Sequence, residues 1–289
     1  MPDVDILFAR PSAPQAQVDS LDLEAHAADE FELTFAWTAM EAIVDDAEEA
    51  LRHIDEDPGR TWLYRGWMLR EDEYASLTEA IEQRGETLLV SPEEYALTLY
   101  FPNYVDLIAA HTAKSVSTGN DLDEAWEAAQ TVPGPPWFVK DHVKSAKEDW
   151  PGACVVSSAE DFRATCEALR SARGDRFERG FVIREFLPLA SLPIRDESGR
   201  PLFDEHRLVY WDGELVAHAP YHDYESPPPP LERFAFLAEI DSLFFTADIA
   251  RLTDGTWRVL ELNDGGVSTL PPLMDPRDLY RHIADWNRP

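Results

Sequence analysis

Residues 244–263 read Phe-Phe-Thr-Ala-Asp-Ile-Ala-Arg-Leu-Thr-Asp-Gly-Thr-Trp-Arg-Val-Leu-Glu-Leu-Asn, and this stretch decides the fold. Two apolar-rich runs, Phe244 to Ile249 and Trp257 to Asn263, flank Asp254-Gly255, the strongest short-range signal for a two-residue hairpin turn. If those two residues form the loop, opposed residue numbers sum to 509, so Thr253 faces Thr256, Ala250 faces Val259 and Asp248 faces Glu261. On that count the two carboxylates occupy a non-hydrogen-bonded pair, where side chains approach most closely. Asn263, two residues past Glu261, shares their face. Like charges directly opposed on a sheet destabilise it, and apolar neighbours make an unpaired charge costly. A divalent cation removes the conflict, because carboxylate and amide oxygens are the hard ligands that Mg²⁺ takes. Asp248, Glu261 and Asn263 are therefore candidate metal ligands. The other reading of the two acids, charges on a solvated face of a very acidic chain, stays open.

A second hairpin lies upstream, with Glu205 to Tyr210 and Glu214 to Ala219 flanking Asp212-Gly213. Glu205 and Arg207 point to one face of its leading strand. There the guanidinium can grip phosphate or carboxylate oxygens in bidentate fashion, or pair with its own neighbour Glu205. Further upstream, strands are expected at Gly180 to Leu187, Ala153 to Val156 and Trp137 to Lys140, with a helix at Glu160 to Ser171. A helix is also expected at Leu231 to Leu243, and a final one at Pro276 to Trp286.

The basic residues are distributed unevenly. Of 25, only four are lysine, Lys114, Lys140, Lys144 and Lys147, which leaves 21 arginines spread along the chain. An ammonium is a compact point charge suited to a single phosphate oxygen, whereas a guanidinium prefers a planar two-oxygen partner. Lysines confined to one short stretch therefore suggest a polyphosphate site, against the plainer reading of a solvated charge run.

The amino-terminal third reads as a small α/β domain. Strands are expected at Ile6 to Ala9, Leu33 to Trp37, Thr61 to Leu69 and Leu88 to Val90. Helices are expected at Met40 to Ile54, at Glu71 to Gln83 ending at Gly85, and after Ser91-Pro92. Pro133-Gly134-Pro135-Pro136 breaks the chain before the next strand. The boundary falls between Ala110 and Pro133, and the division expected is 1–112 and 113–289.

A net charge of −31 argues against nucleic acid or an anionic membrane as a partner. Two cysteines, Cys154 and Cys166, cannot build a disulfide framework and read as small buried apolar groups in a reducing compartment. The acidic start, Met-Pro-Asp-Val-Asp, resembles neither a signal peptide nor a membrane span, so a cytoplasmic location is expected. A symmetric homodimer is the expected assembly, because such pairs are the commonest.

In this order the motifs resemble those of the ATP-grasp superfamily of ATP-dependent ligases, over roughly residues 110–275. Lys114, then Lys140 in Phe-Val-Lys-Asp, look like its two nucleotide lysines. Val182-Ile183-Arg184-Glu185-Phe186-Leu187 resembles the adenine hinge, Glu205-His206-Arg207 the arginine strand, and Asp248-Ile249-Ala250 with Leu260-Glu261-Leu262-Asn263 the metal hairpin. The resemblance implies an α+β fold of two subdomains that sandwich ATP, here preceded by the small α/β domain. It also implies ATP and Mg²⁺ as cofactors.

By the same resemblance, Lys114 and Lys140 would hold the α- and β-phosphates, Arg207 the transferring phosphoryl group or the acyl phosphate, and the backbone of Glu185, Phe186 and Leu187 the adenine edge. Lys144 and Arg184 would also lie at the nucleotide, and Lys140 and Arg207 would serve catalysis. The loop Asp141 to Gly152 departs from the family pattern. It holds one glycine and two lysines where many members are glycine-rich, so Lys144 and Lys147 stand where an amide nest is usual.

The implied reaction joins a carboxylate to an amine through an acyl phosphate, with an amino acid or peptide as the substrate class. A kinase-like phosphotransferase and a non-catalytic nucleotide sensor are the alternatives. Arg65 with Tyr64, Trp67, Tyr100 and Tyr104 is a candidate substrate wall, or simply core.

Overall fold

The structure, a computed structural model, describes residues 3–11, 16–197 and 199–288, with the backbone alone at 16–19 and at Glu148. Met1 and Pro2 of the acidic amino terminus lie outside the described residues. Two compact units are built from interleaved segments. One holds Met1–Thr98, His206–Ala247 and Asn263–Pro289, the other Leu99–Glu205 and Asp248–Leu262. These lines differ from a single boundary at 112/113, because three strands of the carboxy-terminal half pass from one unit into the other.

The first unit opens with β1 (Val4–Arg10), α1 (Ala16–Glu30), β2 (Phe35–Ala39), α2 (Met40–Asp45) and α3 (Ala47–Leu51). There follow β3 (Thr61–Arg65), α4 (Glu71–Gln83), β4 (Thr87–Leu88) and α5 (Pro92–Leu99). Its sheet has the order β2-β1-β3-β4, and every pairing is parallel. Strands covered on both faces read as continuous apolar runs, which Ile6-Leu7-Phe8-Ala9 does, each residue fully buried. Two helix starts follow from side-chain chemistry. The Arg70 N–H donates to Glu73 at 2.6 Å ahead of α4, and Ser91 and Glu94 exchange hydrogen bonds at the head of α5. Gly85, at φ 73°, ends the run after α4 in a conformation that favours glycine.

The helix expected over Met40 to Ile54 is instead two short ones, α2 and α3. Asp46 breaks it by taking an extended conformation, with φ −162° and ψ 100°, and accepting the Glu49 N–H as the cap of α3. α1 has no counterpart among the expected helices. Leu231–Glu239 coils as 3₁₀ turns, not as the α-helix expected there.

The second unit continues with α6 (Phe101–Tyr104), β5 (Ser115–Ser117), α7 (Leu122–Ala129), β6 (Trp137–Asp141), β7 (Val155–Val156), α8 (Phe162–Arg173) and β8 (Phe181–Glu185). A small ribbon of β9 (Ser191–Arg195) and β10 (Pro201–Phe203) follows. The main sheet, β5-β8-β6-β7, is antiparallel at every pairing. Trp137, Val139, Phe181 and Ile183 enter the core with Phe162, Cys166 and Leu169 of α8. Alternation then sends Lys140 and Arg184 to the opposite face, Lys140 opposite Val182 and Arg184 opposite Phe138. Both cysteines are buried and free.

The remaining elements are β11 (Glu205–Trp211), β12 (Glu214–Pro220), β13 (Phe244–Arg251), β14 (Trp257–Asp264) and α9 (Pro276–Trp286). The strand order is β12-β11-β13-β14. Asp212 and Gly213, at φ 47° and 74°, make the expected two-residue turn between Trp211 and Glu214. The second Asp-Gly differs. Leu252 donates its N–H to the Thr256 carbonyl at 2.7 Å and accepts from Gly255 at 2.9 Å, so the loop has three residues, Thr253 to Gly255. The Asp254 carboxylate takes the Thr256 N–H and hydroxyl at 2.9 and 2.7 Å, which holds Gly255 at φ 86°. The two-residue count that set Asp248 opposite Glu261 therefore does not apply at the turn.

Gly180 precedes β8 where a Cβ would run into the backbone carbonyls of Thr118 and Gly119. Backbone cannot yield as a side chain can, so Gly180→Ala is expected to cost about 1–3 kcal/mol, read as a lower urea midpoint at unchanged slope. An unchanged midpoint would show that this strand end has room the structure does not display.

Candidate active site

Lys140 is 2% exposed at the end of β6, and its Nζ donates to Glu261 Oε2 on β14 at 2.8 Å. A lysine so buried needs a partner, and the Phe101 ring, 5.8 Å from Nζ, covers it. Burial opposes the Glu261 charge. The ammoniums of Lys140, Lys144 and Lys147, with the Lys140 hydrogen bond, overcome that and hold its carboxyl well below the usual carboxylate range. Three of the four lysines thus direct their fields at one carboxylate.

Asp141 makes that convergence possible. It is fully buried, its Oδ1 accepts the N–H groups of Val143 and Lys144 at 2.7 and 2.6 Å, and its Oδ2 accepts from Arg173 Nε at 2.8 Å. The Asp141 N–H returns a bond to the Lys144 carbonyl at 2.9 Å. This closed turn folds the chain back at the strand end and fixes where Lys144 starts. Lys147 follows in a 3₁₀ turn, Lys147–Asp149, with its side chain exposed. Asp141 was missed as a site residue, although an Asp two and three residues ahead of such a turn is the usual signal for side-chain capture of backbone N–H groups.

Glu205 joins the acidic side. Burial pushes its carboxyl up; Lys147 opposes that, and the nearby charges of Asp248 and Glu261 reinforce it. Asp248 is itself 3% exposed. Among the described residues no three His, Cys, Asp or Glu side chains form a ready metal cage. Asp248 and Glu261 carry carboxylate oxygens, hard donors of the kind Mg²⁺ takes, and Asn263 follows Glu261 by two residues on β14.

Arg184 has a structural role that its position in the hinge motif does not reveal. Its guanidinium donates to the Leu260 carbonyl at 2.8 Å, to Thr112 Oγ1 at 2.8 Å and to Ser115 Oγ at 3.2 Å. It thereby staples β8 to β5 and β14. Thr112 in turn donates to the Val259 carbonyl at 2.7 Å. The Glu185 N–H donates to the Lys114 carbonyl at 2.8 Å, which places the backbone of Lys114 beside the end of β8, with its side chain exposed. Phe186 and Leu187 continue from the end of β8, half-buried, and the Phe186 ring lies 6.5 Å from Trp150 of the lysine-bearing loop.

The first unit carries the remaining candidates. Arg207 is 4% exposed, donates to the Thr269 carbonyl at 2.7 Å and lies over the Tyr221 ring at 4.8 Å. Asn263 is buried. Tyr64 is core, not a substrate wall, and the same holds in the second unit for Tyr100 and Tyr104; all three are at most 2% exposed. Arg65 is equally buried and paired with Glu24. Asp264 sits beside the Tyr64, Tyr74 and Tyr95 hydroxyphenyl cluster. Burial pushes its carboxyl up to about 7 against the pull of the Gly266 N–H and of Arg65.

The chain has the ATP-grasp fold. It matches the D-cycloserine synthetase DcsG at 14% identity and a TM-score of 0.61, over 98% of this chain and 100% of that one. D-alanine–D-alanine ligase from Bacillus anthracis matches at 12% identity and 0.59, over 99% and 95%. The ATP-grasp ligase PsnB, complexed with precursor peptide PsnA2 and AMPPNP, matches at 11% and 0.56, over 100% and 99%. None of the curated proteins compared matches the chain. Residues 131–283 match the model of an ATP-grasp domain family, family 3 of its clade, and the chain belongs to that family. ATP-grasp enzymes use ATP and Mg²⁺.

The Asp264 carboxyl titrates at about 7 in the folded state, above its unfolded value of about 3.9. Between those values the folded state binds the proton more tightly, so this group's contribution to stability falls as pH rises. Asp264→Asn is therefore expected to gain on the wild type as pH is raised from 5 to 8, compared by denaturant midpoints. Parallel pH curves for the two proteins would refute that assignment.

Proposed function

We propose that the protein is an ATP-dependent carboxylate–amine ligase, acting in the cytoplasm on small acids and amines of the amino-acid or peptide class. The convergence of Lys140, Lys144 and Lys147 on the largely buried Glu261, with Asp248 and Glu205 close by, carries this reading. The ligase and synthetase names of the structural neighbours agree with it. Bound MgATP would supply a phosphoryl group to the acid's carboxylate, giving an acyl phosphate that the amine opens with release of phosphate.

The chain's own residues divide the work. Asp248, Glu261 and Asn263 hold the metal, and Lys114 and Lys140 hold phosphates. Lys144 and Lys147 bring positive charge from the loop whose first turn Asp141 pins, in place of a glycine-rich amide nest. Arg207 neutralises the transferring group, since phosphoryl transfer is catalysed mainly by positioning and electrostatics. The backbone of Glu185, Phe186 and Leu187 meets the adenine edge, while Arg184 braces that strand from behind. With MgATP bound, Lys140 would face phosphate and Glu261 the metal. The division into 1–112 and 113–289 is proposed as the boundary between an accessory module and the nucleotide-binding module, and a homodimer as the assembly.

ADP release is expected to require both an acid and an amine. Glu261→Gln is expected to lower turnover about 10²–10³-fold, the loss typical of a removed transition-state charge contact. Coupled ADP assays over panels of amino acids and short peptides read both. Release with a single hydroxyl substrate would identify a phosphotransferase instead, and intact turnover of the variant at saturating Mg²⁺ would remove Glu261 from the metal site.

A further inference from the structure

Arg65, on β3, is 1% exposed, and its guanidinium has more partners than charge neutrality requires. Glu24 of α1 takes its Nε and Nη2 at 2.9 and 2.7 Å, a complete bidentate pair. The Tyr280 hydroxyl of α9 donates to Glu24 at 2.9 Å and holds that carboxylate in place. The other nitrogen, Nη1, donates to the carbonyls of Gly265, Gly266 and Ser268, at 2.5, 3.2 and 3.0 Å. Those carbonyls belong to a single 3₁₀ turn, Gly265–Val267, and the residue after it.

That turn begins two residues after Asn263. It lies outside the strands of the sheet, so its backbone acceptors need donors from elsewhere. Backbone contact with β3 is close as well: the Gly66 N–H donates to the Gly266 carbonyl at 3.0 Å, and a Cβ on Gly266 would lie 2.6 Å from the Tyr64 carbonyl. The turn is therefore seated directly on β3, with Arg65 as its side-chain donor. The Ser268 hydroxyl closes it from the other side by donating to the Asp264 carbonyl at 2.7 Å.

We propose that Arg65 is a positioning residue for Asn263, fixing the metal-ligand strand end through the carbonyls of residues 265–268. The inference rests on the reading of Asn263 as a metal ligand. Groups that orient ligands from behind typically matter 10–100-fold in metal affinity. Lysine at this position would keep the charge toward Glu24, but one ammonium cannot span a carboxylate and three carbonyls.

The test measures Mn²⁺ binding to the full-length protein in the presence of ADP, by electron paramagnetic resonance. It uses the wild type, Arg65→Lys, Arg65→Ala and Asn263→Ala, with near-ultraviolet circular dichroism as the check on folding. Arg65→Lys is expected to weaken Mn²⁺ binding about 10–100-fold while ADP binding without metal is unchanged. Free guanidinium is expected to restore Mn²⁺ binding to Arg65→Ala. It would take the space vacated by the side chain, next to the small cavity lined by Leu21, Glu24, Gly66, Trp67, Ser268 and Thr269.

Wild-type affinity in folded Arg65 variants, with binding lost in Asn263→Ala, overturns the positioning role and leaves the metal reading intact. Wild-type affinity in Asn263→Ala overturns both. If neither Arg65 variant folds, Glu24→Gln decides, since it loosens the guanidinium without removing it. A severalfold loss of Mn²⁺ affinity in that variant supports the role, and none refutes it.

Discussion

The ion pair between Lys140 and Glu261 is the interaction around which the second unit's charged residues are arranged. Changing either residue alone leaves its partner's charge in a largely buried site, the Lys140 side chain being 2% and the Glu261 side chain 19% exposed. Removing one member of a buried pair typically costs about 3–5 kcal/mol, whereas replacing both by apolar groups is often neutral. Stability is therefore a poor reason for this arrangement. On the function proposed, this lysine and glutamate are two groups that would each take a better partner than the other. Phosphate suits the first and a divalent cation the second.

The frame around that pair is made of arginines. Arg184 joins three segments through three different acceptors, Arg173 holds Asp141, and Arg65 holds both Glu24 and the turn after Asn263. A planar fork with several fixed donors is suited to bracing. The scarcity of lysine in the chain thus has a structural counterpart. Arg184, Arg173 and Arg65 hold braced positions, while the charges of Lys140, Lys144 and Lys147 all act on Glu261.

Much of this was legible from residue order. The strands carrying Lys140, Arg184, Arg207 and Glu261 lie where their apolar patterns place them, because each strand's alternation or apolar run is long enough to outweigh local noise. What escaped is local and chemical. α1 escaped because its buried stripe is largely alanine and includes Glu24, a charge that becomes acceptable only once Arg65 arrives from another strand. The break at Asp46 escaped because capping competes with helix continuation on nearly equal terms.

The two Asp-Gly turns show the limit most sharply. At 212–213 the dipeptide is itself the loop, with both residues at positive φ. At 254–255 the aspartate instead captures the next residue but one, Thr256, by backbone and hydroxyl, and the loop gains a residue. Position 214 is a glutamate, which offers no hydroxyl to such a capture. One side chain beyond the turn can thus change a hairpin's count by one. A residue-by-residue register carried from that turn to Asp248 and Glu261, six positions away, rests on the loop length, whereas the chemical identities of the two carboxylates do not. For Asp248 and Glu261 the sound inference runs from burial and from the lysine charges trained on the pair's second member, not from arithmetic along the strands.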